Sequence, residues 1–321
     1  MKRLIWIVLA LAIAALIYFL VSGKEEEVLP ASPAVYDSTY LKIGVLPTSE
    51  CLPFLVGAEC GIADSAGLKL HVVKYDAAMD ADTAFQNGIV DGVISDMVKL
   101  SVLESQGYAV RAVMGGDVHL SLLTTRQSRI TEAKNLKEKI VSITRHSVVD
   151  MYADKLLSSV KLESYELNKP QINSIPVRYG MLCQNEYDGA ILPEPWASMS
   201  EKHGCHRLSG SLELPGMEKQ FVVLFPDSVI ERRKVDIQKL IKVYNLSVDY
   251  INKYRKTEIK KLLGMLDIKE EHNDSILGNW TYEHAAAASE GSLSTARSWS
   301  RDRKILGKET RESVIDKSFT E

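Results

Sequence analysis

Hydroxyl, carboxylate and aromatic side chains follow the ends of four predicted strands, at the edge where α/β sheets commonly bind ligands. The candidate ligand-binding residues are Thr48, Ser49, Glu50, Ser95, Asp96, Thr144, His146, Ser147, Glu194 and Trp196. The hydroxyls, together with the amides of the helices that follow them, could hold an anion or a polar ring. The carboxylates could hold an amine, and the indole offers a flat stacking surface with one N–H donor.

For several of these residues, an ordinary structural role is the alternative to ligand contact. Thr48 and Ser49 could cap the helix that follows them, and Asp96 could cap the helix that begins after it. Glu50 could face either a cleft or solvent. His146 could interact with a charged group of the ligand, or it could simply be an exposed loop residue.

The stretch 188–196 reads D-G-A-I-L-P-E-P-W and predicts a short buried strand that ends at its first proline. Pro195 suits the first turn of a following helix, so Glu194 and Trp196 lie just past a strand end. The alternative is that Trp196 packs in the core and Glu194 is a solvated turn residue. A similar stretch, N-G-I-V-D-G-V-I-S-D at 87–96, suggests two similar α/β halves.

Alternating strand and helix patterns occur twice along the chain and predict two doubly wound α/β lobes. The predicted strands are 41–46, 68–74, 93–95, 110–114, 120–124, 140–143, 175–177, 190–192, 206–208 and 221–225. The predicted helices are 54–64, 77–86, 97–105, 148–157, 235–256 and 259–266, with an amphipathic trace over 293–305. We expect residues 41–125 with 222–321 to form lobe 1 and residues 126–221 to form lobe 2, with the ligand in the cleft between them. Tyr179, after the predicted strand 175–177, is a weaker candidate for contact, and Arg145 is expected at the surface.

The first 40 residues differ in character from the rest. A basic flank precedes an uncharged apolar run from Leu4 to Ser22, which predicts a signal peptide or a single membrane anchor over 1–23. The basic flank would stay inside, so the remainder would lie outside the cytoplasm. Residues 24–40 read as a linker.

Composition and motifs narrow the classes of function. The chain of 321 residues is long enough for two lobes, and a net charge of −3 gives no argument for nucleic acid. Neither the nucleophile elbow G-x-S-x-G nor the zinc motif H-E-x-x-H nor the phosphate loop occurs, so no cofactor or metal is indicated. Of the four cysteines, Cys51 and Cys60 flank a predicted helix that holds them too far apart, whereas Cys183 and Cys205 could form a disulfide.

The order and spacing of several motifs resemble the substrate-binding proteins of nitrate, sulfonate, taurine and thiamine-precursor uptake systems. The matching segments are 47–50 after the first strand, Phe54 to Leu68, Ala84 to Asp91, and Asp188 to Trp196. The resemblance covers roughly residues 41–316. It implies the type II fold of periplasmic binding proteins and a small-molecule ligand that is delivered to the permease of an ABC importer. A long apolar stretch without a lipidated cysteine departs from the usual family pattern.

Three functions follow as expectations, of which uptake binding is the first. The second is a membrane-tethered ligand-sensing domain that would need a partner. The third is an enzyme on the same fold, related to thiamine-pyrimidine or menaquinone biosynthesis, in which His146 with Glu194 or Asp96 would form an acid–base pair. Under the first reading the protein is periplasmic, and residues 4–22 would anchor it if they are retained.

Two further expectations concern the ligand. We expect it to close the two lobes by a hinge motion. If Glu50, Asp96 and Glu194 all face the cleft, like-charge repulsion disfavours nitrate or a sulfonate and favours a neutral or amine-bearing compound, such as a nitrogen heterocycle.

Overall fold

The computed structural model describes residues 39–268, 281–307 and 314–320, and residues from Tyr40 onward form one compact unit. The predicted apolar segment 4–22 and most of the predicted linker lie outside the described residues. Among the helices that the structure describes, none is both long and apolar enough to cross a bilayer.

Nine strands form two sheets within the described residues. They are β1 (Leu41–Val45), β2 (Leu70–Lys74), β3 (Gly92–Asp96), β4 (Val110–Gly116), β5 (Leu120–Thr124), β6 (Val141–Ser142), β7 (Gly189–Pro193), β8 (His206–Gly210) and β9 (Phe221–Pro226). The first sheet has the order β2-β1-β3-β9-β4, and the second has the order β6-β7-β5-β8. The chain therefore folds into two lobes, each built on one sheet.

The first sheet is parallel except at β9, which runs antiparallel to both of its neighbours. The apolar strand predicted at 221–225 thus returns from the second sheet and is inserted between β3 and β4. The last described segment adds to the same sheet, because the Ala112 amide donates to the Val314 carbonyl at 2.8 Å. Residues 314–316 therefore extend the first sheet beyond β4.

The strand predicted at 120–124 is present with the predicted bounds, but its assignment to lobe 1 was wrong. β5 pairs antiparallel with both β7 and β8, so it lies inside the second sheet. Sequence pattern places a strand but does not identify its partners. The chain crosses between the sheets at 117–119 and returns at 211–220.

Helices cover both sheets. They are α1 (Leu52–Glu59), α2 (Ile62–Ser65), α3 (Ala78–Gln86), α4 (Met97–Ser105), α5 (Val148–Ser159), α6 (Ile175–Cys183), α7 (Trp196–Lys202), α8 (Asp227–Tyr254), α9 (Ile259–Met265) and α10 (Glu290–Asp302). Short 3₁₀ helices occupy Ser49–Cys51, Ala133–Leu136, Ser164–Glu166, Ser211–Glu213 and Lys317–Phe319. The long helix α8 packs its apolar face on α1, where the rings of Phe54 and Tyr244 are 5.1 Å apart.

The strand predicted at 175–177 is wrong, because these residues begin helix α6. The Ser174 hydroxyl accepts from the Val177 amide, and Pro176 occupies the first turn. A serine cap and a proline in the first turn are both helix-start signals, and here they outweigh the β-branched residues. Tyr179 therefore lies within a helix and not after a strand.

The disulfide that the sequence left open between Cys183 and Cys205 is not formed. Cys183 and Cys205 are free thiols, as are Cys51 and Cys60. Cys183 lies at the end of α6, where burial raises the pKa of its thiol and the Tyr179 hydroxyl opposes that rise. Cys51 and Cys60 flank α1 as predicted.

Candidate functional site

A cavity of about 90 Å³ lies between the two sheets, and we call it the cleft cavity. The first-lobe residues that line it are Leu46, Thr48, Glu50, Cys51, Ala78, Asp82, Ile94, Ser95, Asp96 and Phe221. The connection between the sheets contributes Val118, and the second lobe contributes Leu120, Thr144, Ser147, Val148, Val149, Asn173, Ile175, Arg178 and Pro193. Its polar groups include Thr48 and Glu50 after β1, Ser95 and Asp96 at the end of β3, and Thr144 and Ser147 after β6. These are strand ends, as the sequence predicts for a ligand site.

The loop after β1 places two of the predicted residues on the cavity wall. The Thr48 hydroxyl is buried and donates to the Cys51 sulfur at 3.4 Å, so it does not cap the following helix. The Glu50 carboxylate accepts the His119 amide at 2.8 Å through Oε1. Glu50 is therefore held at the point where the chain crosses between the lobes.

Asp96 both caps a helix and lines the cavity, so the two alternatives for this residue hold together. Its Oδ1 accepts the Lys99 amide at 2.9 Å at the start of α4. Burial raises the pKa of this carboxyl to about 6, while the amide and charge of Lys99 and the amide of Val148 oppose the rise. Val148 belongs to the second lobe, so Asp96 reaches across the cleft.

Asp82 adds a second carboxylate to this wall. Burial raises its pKa, and the opposing influence is Lys99, whose Nζ lies 2.9 Å from Asp82 Oδ2. Because Lys99 neutralises much of this charge, the first-lobe wall is less acidic than its residue types suggest.

The second lobe contributes hydroxyls from the loop before α5. The Ser147 Oγ accepts the Val149 amide at 3.2 Å as the N-cap of α5, and donates to the Thr144 carbonyl at 2.8 Å. Both Thr144 and Ser147 line the cavity, and the amino end of α5 points the same way. Helix amino ends favour negative charge nearby.

Arg178 is the one strongly basic side chain among the described residues that line the cleft cavity. Only 1% of it is exposed, and its Nη1 donates to Thr144 Oγ1 at 2.7 Å and to the Ile172 carbonyl at 2.6 Å. Its Nε is buried without a partner. Burial lowers the pKa of the guanidinium to about 10, and no carboxylate in the described part of the chain opposes this. Arg178 is therefore a buried, uncompensated positive charge at neutral pH.

The two lobes also touch directly at one side of the cavity. The Ile175 amide at the start of α6 donates to the Asp76 carbonyl at 2.9 Å, and Ala77 forms an isolated β-bridge with Ser174. These contacts join the turn before α3 to the turn before α6. The cavity is thus bridged by backbone in the described conformation.

Glu194 does not line the cleft cavity, contrary to our prediction. Its side chain is buried and bonds the Ser198 amide at 3.0 Å and Arg207 Nη2 at 2.7 Å. Its charge is matched by Arg207 and does not face a ligand. The argument from three inward-facing carboxylates therefore fails for this residue.

Trp196 also lies away from the cleft cavity. The side chain is 6% exposed within the core, packs edge-on against Tyr179 at 5.3 Å, and donates from Nε1 to the Pro47 carbonyl at 2.6 Å. Because the side chain is almost fully buried and its N–H donor is occupied, the structure favours packing over stacking on a ligand.

Three of the predicted site residues remain, namely Ser95, His146 and Ser49. Ser95 lines the cleft cavity, whereas His146 is exposed with a φ of 53° and does not line it. The predicted acid–base pairing of His146 with Asp96 or Glu194 is therefore not assembled. Ser49 donates its amide to the Glu194 carbonyl at 2.9 Å and lines a different cavity.

Sequence reasoning missed Arg178, Asp82 and Asn173. Arg178 had a usable signal, because it is the single charged residue in the stretch I-P-V-R-Y-G-M-L-C over 175–183. A lone charge in an apolar stretch indicates a buried ion that needs a partner. Reading this stretch as a strand hid the helix that carries Arg178 to the cleft.

No family model matches the sequence, and no curated protein matches it either. Among the described residues, no group of three or more histidine, cysteine or acidic residues could hold a metal ion.

Solved structures are similar to the chain over most of its length. One is the zinc-bound ligand-binding component of an ABC-type import system from Staphylococcus aureus, at 14% identity, covering 88% of this chain and 97% of that one with a TM-score of 0.73. Another is the alkanesulfonate-binding protein from Xanthomonas axonopodis pv. citri bound to MOPS, at 15% identity, covering 85% and 96% with a TM-score of 0.72. A third is the periplasmic nitrate-binding protein from Synechocystis, at 12% identity, covering 88% and 76% with a TM-score of 0.66.

These similarities confirm the fold. The chain has the fold of the periplasmic binding proteins, as the motif resemblance implied. At such identities they establish the architecture alone, so function rests on the chemistry of the site.

Proposed function

We propose that the protein is an extracytoplasmic solute-binding protein that captures a small organic anion in the cleft cavity for delivery to an ABC importer. The fold and the cavity between two lobes support this proposal. The observation that carries it is the buried Arg178 guanidinium, which lacks a carboxylate partner among the described residues. The periplasm is the proposed location, and residues 4–22 would be the signal or anchor.

Physical chemistry gives Arg178 a preference for anionic ligands. A buried charge is costly unless it is paired and hydrogen-bonded. A carboxylate or sulfonate in the cavity would supply the missing charge and accept from the unpartnered Nε. Arginine binds such groups through two parallel N–H donors, which also fixes their orientation.

The opposite wall restricts the other end of the ligand. Asp96 and Glu50 line the cavity from the first lobe, and a bare anion would leave these acceptors unmatched. A ligand with an amino or hydroxyl group at its far end would donate to them. The amine-bearing class inferred from the sequence is thus retained, with an acidic group added to it, and a neutral heterocycle is no longer favoured.

The proposed hinge consists of the two connections between the sheets. On this basis lobe 1 comprises 41–116 with the described residues 221–268, 281–307 and 314–320, and lobe 2 comprises 120–210. This replaces the boundary at 125, because β5 is central to the second sheet.

The ligand can be identified directly. Native mass spectrometry of the purified chain should show a bound small acid, and calorimetry should then compare short carboxylates and sulfonates with and without an amino group. Tightest binding of the amino-bearing acids supports the proposal. Binding of neutral heterocycles in preference to every acid would overturn it.

Arg178→Met tests the observation that carries the proposal. The variant should bind the best acid at least about 100-fold more weakly, because two charge-assisted hydrogen bonds are lost. Its thermal stability should change little, because removal of an unpaired buried charge offsets the loss of the Nη1 hydrogen bonds to Thr144 and the Ile172 carbonyl. Arg207→Met is the matched control, because Arg207 pairs with Glu194 and Glu201 and does not line the cavity. Equal affinity in the two variants would contradict the role of Arg178.

A further inference from the structure

Helix α10 is held on the first lobe. Arg297 Nη2 donates to Glu104 Oε2 in α4 at 2.7 Å, and the Glu104 side chain is 1% exposed. Leu293 and Ala296 of α10 are buried in one apolar cluster with Leu100 of α4. An ion pair and an apolar face therefore fix this helix on α4.

The carboxyl end of α10 contacts the second lobe. Trp299 Nε1 donates to Asp154 Oδ2 at 2.8 Å, and Arg303 Nε, just beyond the helix, donates to the same oxygen at 2.7 Å. Arg303 Nη2 also donates to Asp154 and to the Ser164 hydroxyl. Asp154 lies on α5 and Ser164 begins the 3₁₀ helix that follows α5 along the chain, so these contacts cross between the lobes.

The second lobe holds Asp154 in position for these donors. Lys169 Nζ donates to Asp154 Oδ1 at 2.7 Å, to Asp150 Oδ1 at 2.8 Å and to the Ser164 hydroxyl at 2.9 Å. Burial raises the pKa of Asp154, but the hydrogen bonds from Lys169, Arg303 and Ser164 and the charge of Lys169 outweigh burial and lower the pKa below its usual value. The carboxylate is therefore ionised at neutral pH, with Oδ1 bonded to its own lobe and Oδ2 bonded to the first lobe.

These contacts lie beside the second connection between the lobes, residues 211–220. The Ser292 hydroxyl of α10 donates to the Glu218 carbonyl at 2.9 Å, and Lys155 Nζ of α5 donates to the Pro215 carbonyl at 3.1 Å. Both helices are thus attached to the proposed hinge. A rotation of one lobe against the other moves α5 relative to α10, so the contacts of Asp154 depend on the angle between the lobes.

The contacts of Asp154 accompany a bridged cleft. In the same conformation the Ile175 amide of the second lobe donates to the Asp76 carbonyl of the first lobe at 2.9 Å. Interactions that are made in one conformation and lost in another shift the equilibrium toward the first by their free energy. The hydrogen bonds of Asp154 to α10 therefore favour the bridged conformation over any in which the lobes have turned apart.

We propose that Asp154, Trp299 and Arg303 form a latch that holds the two lobes in the bridged conformation. Lys169 stays paired with Asp154 when the lobes separate, because both residues belong to the second lobe. The latch can therefore open without leaving the Asp154 charge unpaired. Loss of its hydrogen bonds should favour the separated lobes by about tenfold or more. The latch rests on the proposed hinge, but not on the ligand that the cleft takes.

Amide hydrogen exchange of the ligand-free chain, measured by NMR, tests the latch in the double variant Trp299→Phe with Arg303→Met. Both changes keep apolar bulk and remove the N–H donors. Exchange of the Ile175 amide requires the lobes to separate, so it should be about tenfold faster than in wild type. The Arg178 amide is the internal reference, because it donates to the Ser174 carbonyl within α6 and should exchange equally in both proteins.

Asp150→Asn is the matched control. The contacts of Asp150 that the structure describes, with Lys169 Nζ and the His146 amide, lie within the second lobe. This variant removes a carboxylate from the same cluster but no contact between the lobes, so it should leave the Ile175 exchange rate unchanged. Equal acceleration in Asp150→Asn and the double variant would mean that the second lobe has loosened, and the latch would be rejected.

The same measurement separates a failure of the latch from a failure of the hinge. If the Ile175 amide exchanges equally fast in wild type and the double variant, the lobes turn but no latch holds them. If it exchanges in both proteins as slowly as the amides of the central strand β9, the lobes do not turn, and the proposed hinge fails together with the latch. Small-angle scattering should agree with the expected result, with a larger radius of gyration for the ligand-free double variant than for wild type.

Discussion

Strands β3 and β7 begin alike in the two lobes, because each starts at the glycine of an Asp-Gly pair. The Asp91 carboxylate accepts the Lys42 amide at 2.8 Å, and the Asp188 carboxylate accepts the Ile140 amide at 2.9 Å. In each lobe the donor amide lies at the start of the neighbouring parallel strand: Lys42 is the second residue of β1, and Ile140 directly precedes β6. The aspartate thus satisfies an amide that the ladder leaves unpaired.

The glycines of these pairs also serve one purpose. A Cβ atom at Gly92 would lie 2.5 Å from Phe225 Cε1, and one at Gly189 would lie 2.6 Å from the Leu123 carbonyl oxygen. In both lobes an antiparallel neighbour lies where a Cβ would stand: the Phe225 ring in the first lobe and the Leu123 backbone in the second. The Asp-Gly pair therefore lets a strand begin between two neighbours: the aspartate pairs an amide beside one neighbour, and the glycine leaves room for the other.

The ends of the same two strands differ. After β3, Asp96 reaches the cleft cavity and caps α4. After β7, Glu194 turns to Arg207 and Trp196 enters the core. A shared start fixes the position and partners of a strand, but the direction of the side chains beyond its end depends on what packs there.

Trp196→Ala has the largest expected effect, and it tests whether the side chain beyond β7 packs in the core rather than at the ligand site. We expect a loss of about 3–5 kcal/mol in the free energy of unfolding, because a buried aromatic side chain leaves a cavity. In the folded protein, affinity for the acid that binds most tightly in the calorimetric comparison should stay within about threefold of the wild-type value. Chemical denaturation and calorimetry measure the two effects.

Trp196→Phe is the matched control for packing. It keeps most of the apolar volume but leaves the Pro47 carbonyl without its donor, which should cost about 1–2 kcal/mol. An unchanged unfolding free energy in Trp196→Ala, combined with a tenfold or larger loss of affinity, would return Trp196 to the ligand site.

Local sequence signals predicted most of the elements but not their partners. Helix α4 and strand β5 occur with the predicted bounds, because their caps, glycines and apolar spacing are local. β5 was nevertheless placed in the wrong lobe, since its partners lie 65 to 89 positions further along the chain, from Thr124–Gly189 to Ser121–Gly210. Residues of the cavity lining were found from the sequence where they lie at a strand end or directly after it, as for Asp96 and Thr48. Arg178, which a helix brings to the cleft from a different part of the chain, was missed.

The second prediction concerns Asp96 at the end of β3. Its folded pKa of about 6 exceeds the ordinary value of 3.8, so the folded state binds more protons between these pH values. Stability from this group is present at low pH and is lost as pH rises from about 4 to 6, by about 2–3 kcal/mol. Asp96→Asn keeps an oxygen for the Lys99 amide and removes the titration.

Denaturation of both proteins at several pH values measures this effect. Relative to wild type, Asp96→Asn should become more stable by about 2–3 kcal/mol between pH 4 and pH 7. The other titrating groups are common to both proteins and cancel in the difference. A difference that does not change with pH would show that Asp96 is well solvated and would weaken its place in the cavity wall.

The prediction with the smallest expected effect concerns the glycines at which β3 and β7 begin. Gly189→Ala should destabilise the protein by about 1–3 kcal/mol, because its Cβ would meet a backbone carbonyl that can move only by displacing β5. Gly92→Ala should cost less, because the obstacle is the Phe225 ring and a side chain can shift more easily than a strand. Gly180→Ala is the control of opposite sign: a Cβ there would meet no atom within 4 Å, and alanine favours the helix by about 0.5–1 kcal/mol. Equal stability of the Gly189 and Gly180 variants would mean that close strand approach does not explain the Asp-Gly pattern, and the likeness of the two lobes would then extend only to their aspartates.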